Sequence, residues 1–122
     1  IQGIDYGRKD ELQWISVIRL PDFVDKEDFD WAVAEAERKK KQDFSKVEFL
    51  TIEEGLCVQC MHIGAFDDEP ATIDLMDTFL EKKGYINDFS DERMHHEIYL
   101  SDARRVPVEK WRTVVRHPVR KA

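Results

Sequence analysis

The chain has 122 residues, of which 42% are hydrophobic and 37% charged, and its formal net charge is −7. This length fits one domain, and the composition excludes a disordered or low-complexity chain. The acidic balance argues against nucleic-acid binding, which needs a basic face. No apolar run is long enough to span a bilayer and no signal peptide opens the chain, so we expect a cytoplasmic protein that does not bind membranes.

The first two predicted elements are a strand and a helix. Residues 12–20 (LQWISVIRL) carry apolar side chains on both faces, which is typical of a strand covered on both sides. Asp25 is a suitable N-cap, and the apolar spacing that begins at Phe29 predicts a helix that ends near Lys41. Trp31 lies off the apolar stripe of this helix, where it would suit contact with a partner, and a homodimer is therefore one expectation.

The middle of the chain predicts a hairpin and a second helix. Residues 46–52 (KVEFLTI) and 56–63 (LCVQCMHI) are typical of two strands, and Gly55 suits the turn between them. Acidic residues and a proline at 67–70 favour a helix N-terminus, and Gly84 is suited to the C-terminal end.

The last part of the chain predicts two more strands. Residues 85–93 are interpreted as a polar connection, residues 95–101 (HHEIYLS) as a strand and residues 111–119 (WRTVVRHPV) as the final strand. Pro118 cannot donate to a ladder, so we expect the final strand at a sheet edge. Helix–strand–strand occurs twice, which predicts a duplicated α+β fold: an antiparallel sheet with two helices on one face and a groove between the repeats as the natural pocket.

The main chemical signal lies on the strand at 95–101. Side chains alternate along a strand, so His95, Glu97 and Tyr99 share one face. An imidazole, a carboxylate and a phenol in a row suit ligand binding or acid–base chemistry, whereas a solvated strand face is the simpler alternative. No nucleophile elbow or glycine-rich phosphate loop is present, so any catalysis would depend on a carboxylate and water.

The cysteine and histidine patterns do not demand a metal. Cys57 and Cys60 are three residues apart and would point to opposite faces of a strand, so we interpret them as buried thiols. His62 and His95 near Glu97 would make a two-histidine, one-carboxylate site, but no spacing requires it, and a hydrogen-bonded structural histidine is preferred. We therefore expect no metal and no cofactor.

Several segments resemble one known family. GLCVQCMHIGAFDDEPATIDLMDTFLEKKGY, followed by HHEIYLSDARRV and VVRHPV, looks like the GyrI-like small-molecule-binding domain. PDFVDKEDFDWA and DFSKVEF resemble a stand-alone branch of that family, close to the cyclopropanoid cyclopropyl hydrolases. Ala65 and Ala103 stand where the family usually has proline. The resemblance implies one domain over residues 1–122, which we expect to be the C-terminal portion of a longer chain.

The resemblance also implies a mode of action. It implies a pseudo-twofold pair of strand–helix–strand–strand units around a central cleft, with a ligand-binding glutamate at the position of Glu97. Regulators of this family bind lipophilic cations, and the hydrolase branch adds water to electrophilic cyclopropanes. Burial is expected to raise the pKa of Glu97 toward the range of a general base, and Tyr99 would hold the water or donate to an oxyanion.

These observations favour the binding of hydrophobic or aromatic small molecules, cations included, in a cleft with a central glutamate. The first alternative is a hydrolase that adds water to cyclopropanoid or related xenobiotics, with Glu97 as general base. The second alternative is a protein-interaction module that inhibits a partner. Candidate catalytic residues are Glu97 and Tyr99. Candidate ligand-binding residues come from three predicted strands and one loop: Glu97, Tyr99, His95, Trp14, Ser16, Gln59, Met61 and Phe66.

Overall fold

The structure, a computed structural model, describes residues 12–122. Residues 13–52 form one compact unit, and residues 53–122 form the greater part of a second. The described residues contain two helices and a four-stranded antiparallel open sheet, which confirms the predicted α+β class. No helix within residues 12–122 is long and apolar enough to cross a lipid bilayer. That residues 1–122 act as one domain stays a prediction.

Helix α1 (Lys26–Lys40) lies in the unit of residues 13–52 and confirms the first predicted helix. The Asp25 carboxylate accepts a hydrogen bond from the Asp28 backbone N–H at 2.9 Å, and the Asp28 carboxylate accepts one from the Asp25 N–H at 3.1 Å. This reciprocal capping box satisfies two backbone donors that the first turn would otherwise leave unpaired. Lys41 ends the helix in the left-handed conformation.

The two strands predicted in the same unit do not form. Residues 12–20 and 46–52 have no strand assignment, and the hairpin predicted between 46–52 and 56–63 is therefore wrong as well. Apolar side chains that a packed sheet would bury are exposed instead, with Trp14 at 78% and Ile18 at 88% of full exposure. A strand-like sequence pattern indicates that a segment could pack in a sheet. The segment forms a strand only where another strand lies beside it for pairing. Of the predicted duplication, the second copy has both of its strands, whereas the first copy has only the strand at 57–63 among the described residues.

The unit of residues 53–122 is built around one long central strand. Its elements are β1 (Cys57–Ile63), α2 (Glu69–Lys83), β2 (Tyr85–Asn87), β3 (His96–Tyr99) and β4 (Arg112–Lys121). Strand β4 pairs antiparallel with β1 along one side and with β3 and β2, one after the other, along its second side. β2 lies in the region predicted as a polar connection, where the far end of β4 extends beyond β3 and offers it a partner.

The prediction that the final strand lies at an edge because of Pro118 is wrong. The Val119 N–H donates to the Leu56 carbonyl on the β1 side, whereas the Pro118 carbonyl accepts from the Asp88 N–H on the second side. The missing N–H of Pro118 therefore also faces the second side, between the end of the β3 ladder and the start of the β2 ladder. A proline is tolerated in this central strand because neither β3 nor β2 pairs with β4 at Pro118. No backbone hydrogen bond from an N–H is therefore lost there.

Helix α2 covers one face of the sheet, which we call the helix face. The buried core consists of Met76 and Leu80 from α2 and Val58, Val115 and Val119 from the sheet. Met76 and Leu80 are four residues apart and so lie on the same side of α2. Val115 and Val119 are also four apart, which places them on the same face of β4. The helix ends at Gly84, whose φ of 78° is the left-handed conformation expected of a glycine cap.

Arg93 fixes the two loops that lead into the sheet. Its guanidinium donates to the carbonyls of Glu54 at 3.0 Å and Leu56 at 2.6 Å, and to the Asp88 carboxylate at 2.9 Å. The segment before β1 is thereby tied to the segment before β3. This arrangement places the Glu54 side chain on the face opposite to α2, which we call the opposite face, near His96 and Arg116.

Candidate functional site

Glu97 is the centre of a hydrogen-bonded group on the helix face. In the β3–β4 register, Glu97 lies opposite Val115 and Tyr99 opposite Thr113, so both side chains point to the face that α2 covers. The His95 ring donates through Nε2 to Glu97 Oε1 at 3.1 Å, and the Tyr99 hydroxyl donates to Glu97 Oε2 at 2.7 Å. The structure therefore brings together the three side chains that alternation along the strand predicted to share a face.

A second histidine extends this group toward the core. His95 Nδ1 lies 2.7 Å from His117 Nε2, and the almost completely buried ring of His117 makes a T-shaped contact with that of Phe89. Burial and the repulsion from His95 lower the pKa of His117 to about 4. A neutral His117 has one N–H and one lone pair, so it pairs with His95 either as donor or as acceptor. Its Nδ1 has no hydrogen-bond partner among residues 12–122.

Glu69 completes the group, and the sequence analysis did not identify it. It is the first residue of α2, its exposure is 0%, and its carboxyl is hydrogen-bonded with that of Glu97. Sequence reasoning assigned it only to the negative charge usual in a first helical turn. A signal was nevertheless present, because Glu69 precedes Ile73, Met76 and Leu80 at the spacing of the buried stripe.

The pKa of Glu97 is lowered, so the predicted rise is wrong. Burial alone would raise it, as the sequence analysis expected. Hydrogen bonds from His95, Glu69 and Tyr99 and the attraction of His95 outweigh burial and hold the pKa at about 2. Burial and the nearby carboxylate raise the pKa of Tyr99, which keeps its proton and remains a donor. Glu97 is thus a stable carboxylate at neutral pH.

Tyr99, which contacts this carboxylate, belongs to a cluster of three aromatic rings. The ring of Phe66 lies 5.5 Å from that of Tyr99 and 4.9 Å from that of Trp111, measured between centroids. The Trp111 indole N–H donates to the Val106 carbonyl at 2.8 Å, which fixes the orientation of the ring. Phe66 was predicted as a ligand-binding residue, whereas Trp111 was predicted only as the start of a strand. Nothing in its sequence neighbourhood indicates that its side chain reaches Phe66.

His62 holds the loop that presents Phe66. Its Nε2–H donates to the Ala65 carbonyl and its Nδ1 accepts from the Thr72 hydroxyl, both at 2.7 Å. Both ring nitrogens are used, and the side chain is buried between β1 and α2. The preference for a structural histidine at this position is confirmed, because His62 links the loop to the helix and takes no part in the Glu97 group.

Of the remaining predicted ligand residues, two belong to the opposite face of the sheet and two to the unit of residues 13–52. Gln59 and Met61 point to the opposite face, where the Gln59 side chain accepts a hydrogen bond from Arg116 Nε at 2.9 Å. Gln59 also lines a groove of about 220 Å³ between β1 and α2, which contains none of the Glu97 group. Trp14 and Ser16 belong to the unit of residues 13–52 and are exposed. As ligand-binding residues, these four stay predictions.

One cluster among residues 12–122 has the donor set of a metal site. Potential ligand atoms of Glu69, His95 and Glu97 lie within 4.8 Å of one another. Glu97 is hydrogen-bonded with both His95 and Glu69. That the protein needs no metal stays a prediction.

Comparison with known proteins gives a consistent family. The model of the GyrI-like small-molecule-binding domain matches residues 14–120. A hydrolase from Listeria innocua is similar in structure, with a TM-score of 0.78 and 45% identity, over 84% of this chain and 52% of its own. An uncharacterized conserved protein from Listeria innocua has a TM-score of 0.80 and 47% identity, over 84% of this chain and 50% of its own.

The chain thus spans about half the length of these two solved proteins. A search of the curated proteins finds no match. The family match covers both compact units and includes every member of the Glu97 group and of the aromatic cluster. On this evidence, the chain belongs to the GyrI-like small-molecule-binding domain family.

Proposed function

We propose that the protein binds hydrophobic or aromatic small molecules, cations in particular, against Glu97 and the rings of Phe66, Tyr99 and Trp111. The observation that carries this proposal is a carboxylate held ionised beside an aromatic cluster. A fixed negative charge attracts a cation, and the faces of aromatic rings attract it further while covering its apolar surface.

Access to the site supports binding. Tyr99 is 62% exposed and Phe66 is partly exposed, so a ligand reaches the rings without opening the core. The Glu97 side chain keeps 18% of its exposure. A ligand that covers these rings removes the remaining water from the carboxylate, which strengthens the attraction for a cation.

Hydrolysis is the second candidate, and it is favoured by one comparison, since a similar Listeria innocua protein is described as a hydrolase. In this reaction Glu97 would take a proton from water, the oxygen would bond to a strained ring carbon, and the ring bond would break with protonation of its other end. A carboxylate with a pKa of about 2 is a weak general base at neutral pH. We therefore place binding first.

The experiment is a combined binding and turnover assay. Wild type, Glu97→Gln and the control Glu54→Gln would be titrated with an aromatic monocation and with a neutral dye of the same ring system. The same proteins would be incubated with a cyclopropane-bearing alkylator, and mass spectrometry would report the addition of water. Glu54 is the matched control because it is also paired with a histidine, but on the opposite face.

Binding predicts that Glu97→Gln weakens the affinity for the cation by about tenfold or more, while the neutral dye and Glu54→Gln change little. Water addition lost only in Glu97→Gln would establish the hydrolase instead. A stable complex with a partner protein that is indifferent to Glu97 would select the inhibitor alternative. No effect of Glu97→Gln on any ligand would overturn the proposal. A homodimer and a cytoplasmic location stay predictions.

A further inference from the structure

The ring of His117 is fixed by its surroundings in the sheet. His117 belongs to β4, which pairs with strands on both sides, and it is only 3% exposed. In the β1–β4 register it lies opposite Val58, and its ring makes a T-shaped contact with that of Phe89. A side chain packed in this way in a central strand has little freedom to rotate. His117 is therefore a rigid neighbour for His95.

A single hydrogen lies between the two histidine rings. The 2.7 Å between His95 Nδ1 and His117 Nε2 is a hydrogen-bond distance, and two N–H groups pointed at each other would repel. The pKa of about 4 keeps His117 neutral at physiological pH, so its Nε2 either donates to His95 or accepts from it. A neutral His117 therefore completes this contact in both protonation states of His95.

The second nitrogen of His95 carries a hydrogen toward Glu97. The Glu97 carboxylate has no proton at neutral pH, so the 3.1 Å contact with His95 Nε2 requires the hydrogen to be on the ring. A half-turn of the imidazole about its last side-chain torsion would put a carbon in place of each nitrogen. Both hydrogen bonds therefore need the same ring orientation, and the bond to the rigid His117 stabilises the orientation that serves Glu97.

We propose that His117 is a positioning residue of the ligand site, which holds His95 with Nε2–H directed at Glu97 and thereby orients the carboxylate for a cationic ligand. His117 acts through His95, because its own burial keeps it from contact with a ligand. The consequence for ligand binding rests on the proposed function. The hydrogen shared by the two rings is independent of any ligand.

His95 is one of three groups that orient the Glu97 carboxylate. Tyr99 donates to its second oxygen at 2.7 Å, and Glu69 is hydrogen-bonded with the same carboxyl. Loss of the orientation of His95 should therefore weaken the attraction for a cation without abolishing it. A neutral aromatic ligand depends on the rings and not on the carboxylate, so its affinity should change little.

The direct test is nitrogen NMR of the ligand-free protein at neutral pH, with isotope-labelled histidine. Chemical shifts of the ring nitrogens report which of them carries hydrogen, and an N–H···N hydrogen bond transmits a scalar coupling between its two nitrogens. We expect a hydrogen on His95 Nε2 and a coupling between His95 Nδ1 and His117 Nε2. The coupling should persist in His96→Gln, on the opposite face. A His95 Nε2 without hydrogen, or no coupling between the two rings of wild type, would overturn the proposal.

Binding of an aromatic monocation gives the functional test. The amide of a glutamine reaches as far as Nε2 of a histidine, whereas that of an asparagine reaches only as far as Nδ1. We expect His117→Asn to bind the cation about fivefold more weakly, and His117→Gln to restore most of the affinity. A neutral dye of the same ring system should bind all three proteins within about twofold. Equal losses for the cation and the dye, or no restoration by His117→Gln, would mean that His117 only supports the fold.

A double-mutant cycle tests whether His117 acts through His95. In a His95→Phe background the hydrogen bond between the rings is absent, so His117→Asn should cause no further loss of cation affinity. The same fivefold loss in both backgrounds would contradict the proposal. The control is His96→Asn, which alters a histidine of the opposite face and should leave cation affinity unchanged.

The two proposals fail separately. If no cation binds to any variant, the proposed function fails, but the coupling between the rings still decides whether His117 orients His95. If cations bind and depend on Glu97 while His117→Asn binds them as wild type does, the function stands and the positioning role is rejected. If His117→Asn does not fold, the nitrogen NMR of wild type decides.

Discussion

Each face of the sheet carries a glutamate paired with a histidine, but the surroundings of the two glutamates differ. On the helix face, Glu97 lies between His95 and Tyr99 above a fully buried Glu69. On the opposite face, Glu54 accepts from His96 Nδ1 at 2.7 Å and from Arg116 Nη1 at 2.7 Å. Both glutamates have a lowered pKa, although burial opposes it in each case. A hydrogen-bonded histidine–glutamate pair is therefore not sufficient by itself to identify a ligand-binding site.

What separates the faces is the charge balance and the surroundings. Glu54 is neutralised by a full guanidinium cation and is about one-third exposed, which is typical of a surface ion pair. Glu97 accepts from His95 and Tyr99, and Tyr99 belongs to the cluster of three aromatic rings. Under the proposed function, Glu97 on the helix face presents its carboxylate to a ligand, whereas Glu54 on the opposite face is already paired with Arg116. The following predictions change the helix face, and the first three use the opposite face as control.

The largest expected effect is acid destabilisation through His117. In the folded protein this buried ring stays neutral down to a pH of about 4, whereas the unfolded ring takes a proton near its ordinary value of 6.5. The unfolded state therefore binds one more proton between these values, so stability falls as the pH falls through this window, by about 3 kcal/mol in total.

Urea unfolding at a series of pH values measures this slope. We expect His117→Gln to reduce the loss of unfolding free energy between pH 6.5 and 4, whereas His96→Gln on the opposite face should retain it. The comparison concerns the slope and not the absolute stability, because His117→Gln also changes a buried hydrogen bond. An identical slope in wild type and His117→Gln would contradict the pKa assigned to this residue.

The next effect concerns packing, tested at two adjacent residues of β4. Val115 has 0% exposure and lies in the core under α2, whereas Val114 points to the opposite face and is only half-buried. Val115→Ala removes buried apolar volume and should lower the free energy of unfolding by about 2 kcal/mol, against less than about 1 kcal/mol for Val114→Ala. Chemical denaturation measures both. Equal losses would show that the two faces are packed alike.

A third prediction asks which face holds the ligand. Phe66→Ala removes the central ring of the aromatic cluster, and we expect about tenfold weaker binding of an aromatic monocation. Met61→Ala is the control, because Met61 was also predicted to bind ligand but points to the opposite face. Fluorescence titration measures both affinities. Loss of binding in Met61→Ala alone would move the ligand to the opposite face.

The smallest effect is expected for Tyr99→Phe, which keeps the ring and removes the hydroxyl that donates to Glu97. One of the hydrogen bonds to the carboxylate is lost, so the pKa of Glu97 should rise and cation affinity should fall about threefold to fivefold. Isothermal titration calorimetry measures the change. Tyr85→Phe, a matched change on β2 beside the core, should leave affinity unaltered. A tenfold or larger loss would mean that the hydroxyl contacts the ligand directly.

Much of this molecule follows from short-range sequence patterns. The Asp25 capping box, the Gly84 cap and the apolar spacing of α2 are local, so they determined both helices. Alternation in residues 95–99 placed His95, Glu97 and Tyr99 on one face, and the contacts agree. These features depend on backbone geometry within a few residues, which the amino-acid order fixes directly.

Only the tertiary structure decided which segments meet. Residues 12–20 and 46–52 have strand-like sequences but no ladder, whereas Pro118 lies in a central strand because its missing N–H faces a gap. Glu69 reaches Glu97 across 28 positions of sequence, and the hydrogen bonds there reverse the pKa shift that burial alone predicts. Strand pairing and buried charge both depend on neighbours distant in sequence, and a local pattern does not contain them.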